Sequence, residues 1–254
     1  MVYFNSFKSI SNRVGLKAEV FEGRLVVWAP MWKRALSTQS VFCEALVSNQ
    51  ILTQEQMVHA ARRYRLGASK RGGVIFWQID HEARIHDGKI MYYRPDCHRD
   101  KSHNPTWVSY LLQQRHKWPD KPPTSHCLFG LHLLRAGGRG KIAIVEAEKT
   151  AVIMSALYPD YLWLATGGLG EVQPEKFRPL RGRKIVMFPD TDPEGLAFRR
   201  WSEAAQTVMS QLFWEDAPPI HVSNLLERHA SPSQKSRKID IADFYLESIK
   251  PQKI

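Results

Sequence analysis

Five acidic residues sit just beyond short apolar runs. Glu146 follows Lys141-Ile142-Ala143-Ile144-Val145, Asp190 and Asp192 follow Lys184-Ile185-Val186-Met187-Phe188, and Asp240 and Asp243 come after Pro219-Ile220-His221-Val222. Carboxylates crowded together repel and resist ionisation unless a cation lies among them. Ligands of this hardness select Mg²⁺ or Mn²⁺ over zinc. One or two such ions orient a phosphate, neutralise its charge and activate an attacking or leaving oxygen. In Asp190-Thr191-Asp192 the acids are two residues apart as a strand ends, so both point to one side and can share a metal. Gly195 then allows a tight entry into the next helix. Each piece alone has a plainer reading: an Asp-x-Asp in a loop or at a helix N-cap, a Glu that caps a helix, an Asp240 that caps the last one. The specific signal is the set of three segments in this order.

The elements that must position these acids read as a regular alternation. Strands are expected at 141–145, 161–166, 184–188 and 219–222. Helices are expected at 148–157, 174–180, 196–213 and 241–249. Apolar strands alternating with helices imply a mostly parallel four-stranded sheet covered on both faces. In such sheets the binding crevice lies beyond the C-terminal ends of the strands, where the five acids fall. If the first, third and fourth strands are neighbours, the carboxylates meet at one edge.

The part before Lys141 has a different character. Residues 1–140 hold 21 Lys and Arg against 10 Asp and Glu, whereas residues 141–254 hold 15 of each, so the net charge of +11 resides wholly in the first part. A basic module beside a neutral one suggests that the first grips a polyanion; the alternative is a solvated basic surface with no specific ligand. Arg24 to Trp28 looks like a short strand within an otherwise poorly legible first 50 residues. Thr53-x-x-Gln56 has the form of a capping box opening a helix to about Tyr64. Val74 to Ile79 reads as a strand. Ala83-Arg84-Ile85 and Lys89 to Tyr93 read as two more across a turn at Asp87-Gly88. Pro119, Pro122 and Pro123, and then Gly137-Gly138-Arg139-Gly140, break the pattern. The expected organisation is therefore a basic α+β module over 1–140 and an α/β domain over 141–254.

Candidate nucleic-acid contacts are Arg62, Arg63 and Arg65 on the first clear helix, Lys70 and Arg71 after it, and Lys89, Arg94, Arg99 and Lys101 around the small sheet. Trp77, Tyr92, Tyr93 and Trp107 interleave with them. Single-stranded bases stack on such rings; the alternative is a core role, favoured for Trp77 and balanced for Tyr93. Three cysteines form no disulfide framework and suit a reducing cytoplasm. The start, Met1 to Ser6, lacks the layout of a secretory signal, and no apolar run is long enough to span a membrane.

The acidic segments resemble those of the Toprim family, shared by bacterial primases, phage primase-helicases, topoisomerases and some nucleases. Ile144-Val145-Glu146-Ala147-Glu148-Lys149-Thr150-Ala151 is similar to its first motif in the form seen in primase-helicases, with Ala147 replacing a glycine. Asp190-Thr191-Asp192-Pro193-Glu194-Gly195 resembles the second. Lys238-Ile239-Asp240-Ile241-Ala242-Asp243-Phe244 resembles the third acidic segment of phage-type primases. More loosely, Phe76 to Asp80, Gly88 to Tyr92, Trp107-Val108 and Cys127 to Gly130 resemble an uncharacterised Toprim family of mobile genetic elements, in which a primase-type basic module precedes the Toprim domain. The resemblance implies a Rossmann-like C-terminal Toprim domain. It assigns Glu146 as general acid or base, Asp190 and Asp192 as Mg²⁺ (or Mn²⁺) ligands, Asp240 as completing the metal site, and Glu148 and Lys149 as supports near the nucleotide phosphates. It implies a primase-like enzyme that joins ribonucleoside triphosphates on single-stranded DNA, with a replicative helicase as a further partner. A phosphodiester-cleaving Toprim nuclease and a non-catalytic DNA-binding replication accessory are the alternatives. The Cys-x-x-Cys zinc ribbon usual in such primases is missing, and Cys97, His98, His103, His126 and Cys127 match no standard zinc spacing.

Overall fold

β-branched and aromatic residues favour pleated, half-buried surfaces, and the first part of the chain uses them to build an antiparallel sheet. The computed structural model describes residues 38–116, 125–136, 140–212 and 218–249, with the backbone alone of 10–11, 17–21 and 24–27. Met1 to Ser6, Trp28, Pro119, Pro122, Pro123, Gly137, Gly138, Arg139 and Phe213 lie outside the described residues. The chain divides into two units, 1–127 and 128–254.

In the first unit the elements are β1 (Ile10–Ser11), β2 (Lys17–Phe21), β3 (Arg24–Val27), α1 (Val41–Ser48), α2 (Gln54–Tyr64), β4 (Gly67–Ala68), β5 (Val74–Ile79), β6 (Ile85–Met91), β7 (Thr106–Trp107) and α3 (Val108–His116). The described strands run in the order β1-β2-β3-β6-β5-β4, all antiparallel, with β7 also on β6. Ile75, Trp77, Ile79, Ile85 and Ile90 form a buried cluster on this sheet. Helix α2 starts as its sequence dictates. The Thr53 side chain accepts from Gln56 N at 3.1 Å, and Gln56 Oε1 accepts from Thr53 N at 2.9 Å.

The turn expected at Asp87-Gly88 does not exist. Both residues lie inside β6, where Asp87 pairs with Gln78 and Gly88 with Trp77. The glycine serves close packing: a Cβ on Gly88 would lie 2.8 Å from Trp77 Cε3 and 2.9 Å from Ile75 Cγ2. The real β5–β6 turn spans Asp80 to Arg84, with Ala83 at φ 68°. Asp80, only 4% exposed, holds it. Its Oδ1 accepts from Glu82 N and Arg84 N, both at 2.9 Å, and its Oδ2 accepts from Arg84 Nε at 2.7 Å and lies 2.9 Å from His86 Nε2. Burial raises the Asp80 pKa, but the bonds from His86 and Arg84 outweigh it and the net shift is downward. A lowered carboxylate stabilises the fold above its unfolded pKa, near 4, and loses that contribution as pH falls through the lower folded value. Asp80→Ala is therefore expected to lose about 3 kcal/mol at pH 7 by urea denaturation. The gap to the parent protein should narrow below about pH 4.

In the second unit, Phe129 bridges Ala165 ahead of a 3-10 turn at Leu131–Ala136, so residues 128–136 belong here rather than to the basic module. Then follow β8 (Lys141–Val145), α4 (Glu148–Leu157), β9 (Tyr161–Ala165), α5 (Pro174–Phe177) with a 3-10 turn at Arg178–Leu180, β10 (Ile185–Phe188), α6 (Leu196–Leu212), β11 (Ile220–Val222), α7 (Leu225–His229), α8 (Pro232–Arg237) and α9 (Ile241–Ile249). The four strands form a parallel sheet in the order β11-β10-β8-β9, so the first, third and fourth are neighbours. Helix α6 buries Ala197, Trp201, Ala205 and Val208, one stripe at helical spacing. The result is a mixed α/β chain with one all-parallel sheet. Among the described residues no helix is long and apolar enough to cross a membrane.

Candidate active site

Parallel register makes the site. β8 and β10 pair with Val145 opposite Phe188, so Glu146 and the Asp190 segment leave the sheet side by side. The segment before α9 joins them: Thr191 N donates to Ile239 O at 3.1 Å, drawing Asp240 to the same edge. Asp240 is 6% exposed. Its Oδ1 accepts from Asp243 N at 2.8 Å, and its Oδ2 accepts from the Thr150 hydroxyl at 2.5 Å. Lys149, in the first turn of α4, places Nζ 3.6 Å from Asp240 Oδ2 and 3.6 Å from Asp243 Oδ1.

Asp190 is the residue under most electrostatic stress. Its Oδ1 is buried without a hydrogen-bond partner among the described residues. Burial pushes its carboxyl well above the usual range. The charges of Asp240 and Glu146 push the same way, Lys149 opposes them, and Asp243 adds to the rise. Asp243 is also raised, by burial first and then by Asp240. Glu146 is half-buried, and Glu148, in the first turn of α4, is 2% exposed.

Asp192 takes the plainer of the two roles open to an Asp-x-Asp, that of a helix cap. Its Oδ1 accepts from Glu194 N at 3.1 Å and Leu196 N at 3.0 Å, and its Oδ2 accepts from Ala197 N at 2.8 Å. It caps α6. Burial raises its pKa, but those backbone donors win and the net shift is downward. Gly195, at φ +64°, makes the tight entry expected of it. Three of the four or so accepting positions of the Asp192 carboxylate are thus committed to backbone.

Among the described residues, no three His, Cys, Asp or Glu side chains are arranged to hold a metal ion. The expected cage of Asp190, Asp192 and Asp240 is therefore not preformed, because Asp192 faces its helix and Lys149 stands against Asp240. The donor set nonetheless suits a hard cation. A sealed, unpartnered carboxylate oxygen amid further acids is relieved by a divalent ion with oxygen preference. Asp190 and Asp240 are the residues that would hold it, with the Glu146 charge beside them. Thr150 stands within the first acidic motif, but nothing in the sequence assigns it a role; only its position one residue after Lys149 hints that it faces the same acids.

The first unit carries a separate cavity of about 550 Å³. Lys70 and Arg71 line it together with Tyr92, His103, Asn104 and Thr106. Tyr92 and His103 stack with ring centroids 4.6 Å apart. His103 Nδ1 lies 2.8 Å from Asp100 Oδ2, and Asp100, bonded first by Ser102 and then by His103, has its pKa lowered to about 2. Arg62, Arg63, Arg65, Lys89, Arg94, Arg99 and Lys101 are not among its walls. Arg65 ends α2 in the left-handed conformation, and Arg94 pairs with Asp96 at 2.8 Å. Tyr93 is corrected: 9% exposed and 4.8 Å from the Phe42 ring, it fills the core and offers no face to a base. Trp77 is core, as favoured. Trp107 stacks on His126 at 4.0 Å.

The fold is similar to that of a primase catalytic core. The DnaG catalytic core is similar at a TM-score of 0.50 and 12% identity, over 88% of this chain and 82% of that one. The DnaG primase catalytic domain bound to ssDNA gives 0.49 and 12%, over 88% and 81%. The primase fragment of the bacteriophage T7 primase-helicase protein gives 0.46 and 17%, over 75% of this chain and 66% of that one. By sequence the chain belongs to the family described as a domain of unknown function (DUF6371), which matches residues 40–191. No curated protein matches it.

Proposed function

We propose that this chain is a primase-like Toprim enzyme that joins ribonucleotides on single-stranded DNA with Mg²⁺ or Mn²⁺. The carrying observation is the buried, unpartnered Asp190 oxygen at the C-terminal edge of a parallel sheet, with Glu146, Asp240 and Asp243 charges around it. A bound divalent ion there supplies charge for a triphosphate. The chain's own groups do the rest. Glu146, half-buried just after β8, would take the proton of an attacking hydroxyl. Thr150 and Asp243 N fix the Asp240 carboxylate. Lys149 brings a positive charge to the edge where phosphates would lie. The fold likeness to primase cores agrees with this reading.

The test uses the full chain with single-stranded DNA, Mg²⁺ and labelled ribonucleoside triphosphates. Short labelled products are expected. Shortened DNA would favour the nuclease, and binding without either product the accessory role; a helicase partner is a further proposal. Lys70 and Arg71, beside the Tyr92–His103 stack, are the proposed DNA contacts in the first unit. Changing both to Gln should weaken single-strand binding and reduce the slope of log K against log salt by about 1.4, two phosphate contacts at roughly 0.7 each. An unchanged slope in filter binding would place the groove elsewhere.

A further inference from the structure

The second unit holds a cavity of about 320 Å³ with a largely aromatic wall. Trp163 and Phe188 project from the sheet with centroids 5.6 Å apart and planes tilted by 32°. Phe244 and Tyr245 of α9 line it, as does Tyr158 at the end of α4. Tyr158 and Tyr245 meet edge to face at 4.8 Å. No lining side chain is charged, and Trp163 Nε1 is already donated to Tyr158 O at 2.9 Å. The other polar side-chain groups are hydroxyls, of which that of Ser248 donates to Phe244 O at 2.8 Å. A helix of another chain is about 10 Å across and needs a longer groove. The volume falls in the range of about 300–1,000 Å³ typical of small-ligand sites.

The cavity is continuous in sequence with the acidic edge. Phe188 lies two residues before Asp190, Ile241 follows Asp240, and Phe244 follows Asp243, so the segment after β10 and the start of α9 contribute to both. We propose that this cavity binds a planar, uncharged aromatic ring, the base of a nucleotide whose phosphates lie toward the acids. This rests on the proposed function for the identity of the ligand, but the cavity stands independently of any metal. Flat rings stack on bases of every sequence, so the site gives affinity with little choice among them.

The experiment measures two ligands separately on the full chain by calorimetry and saturation-transfer NMR: adenosine, which has no phosphate, and tripolyphosphate with Mg²⁺. Adenosine should bind the parent protein. Ser248→Trp adds bulk at an exposed rim position, and Tyr245→Ala removes one wall. Each should weaken adenosine at least about tenfold, 1.4 kcal/mol, while binding of tripolyphosphate with Mg²⁺ holds. Asp190→Asn should do the reverse. Absent adenosine binding, or binding indifferent to Ser248→Trp, overturns the base pocket whatever the phosphate arm shows. Indole binding where adenosine does not also overturns the nucleotide assignment. Loss of the phosphate arm alone, in the parent protein, overturns the metal reading and leaves the pocket standing.

Discussion

Asp190→Asn should abolish Mg²⁺-dependent product formation and at the same time make the metal-free protein more stable. The two effects share one cause. An isosteric amide keeps the shape of the side chain but removes a charge from a place where burial, Asp240 and Glu146 all oppose it. The sign follows from the raised pKa. A carboxyl raised in the folded state stabilises while protonated, below its unfolded pKa near 4, and that contribution is lost as pH rises through the folded value. At pH 7–8 without divalent ions the variant should therefore melt above the parent protein, and the difference should shrink toward pH 4. Mg²⁺ should stabilise the parent by about 2.7 kcal/mol when the free ion is at 100 times its Kd, and so raise its Tm, while leaving the variant nearly unmoved. Losing a metal ligand removes several kcal/mol of transition-state stabilisation, hence about a hundredfold or more in rate. Differential scanning fluorimetry across pH, with and without Mg²⁺, reads the first effect and the labelled-nucleotide assay the second. A Tm that rises with Mg²⁺ equally in both proteins would place the ion away from Asp190.

What was legible in the sequence follows from how many structures each pattern allows. Ile142 to Val145 and Ile185 to Phe188 are unbroken apolar runs between turn residues, and a buried parallel strand is the economical home for them. Their direction then puts Glu146 and Asp190 at the C-terminal edge of the sheet, but only the pairing of β8 with β10 makes them neighbours there. Asp87-Gly88 misled because Asp-Gly serves a hairpin turn and, equally, a strand position that a neighbouring ring overlies. What decides is Trp77, which lies opposite Gly88 in the pairing and is remote from it along the chain. The true turn bends at Ala83, a residue with no preference for positive φ, and is held by the Asp80 network, so local propensity does not reveal it. Helix α1 was missed because Phe42, Cys43, Ala45 and Leu46 are all buried, leaving little amphipathic contrast. At the site the acids themselves were legible, but not their duties. Asp-x-Asp is the same string whether the second acid faces a cation or a helix terminus.

That ambiguity yields the second large effect. Asp192→Ala is expected to damage the fold, in contrast to Asp190→Asn. Two backbone N–H groups at the start of α6 and one in the turn before it lose their acceptor together, and Ala197 N lies in a buried setting where water does not replace it. Loss of an N-cap costs about 1–2 kcal/mol, and buried donors left unpaired add about 1–3 kcal/mol, so a loss near 3 kcal/mol in urea denaturation is expected. Asp192→Asn retains one acceptor oxygen and should lose less than half of that. The pH dependence is opposite to that of Asp190. A lowered carboxyl stabilises above its unfolded pKa and gives up that contribution as pH falls through the folded value, so Asp192→Ala and the parent should converge in acid. Long helix α6 carries Trp201, whose indole donates to Leu169 O at 3.2 Å, so loosening its start also loosens the loop after β9. A double change of Asp190 and Asp192 to alanine thus cannot separate chemistry from folding, whereas the single amide at 190 can. If Asp192→Ala leaves the urea midpoint where it was, the carboxylate is not the cap of α6, and its place in the divalent site becomes the better account of its burial.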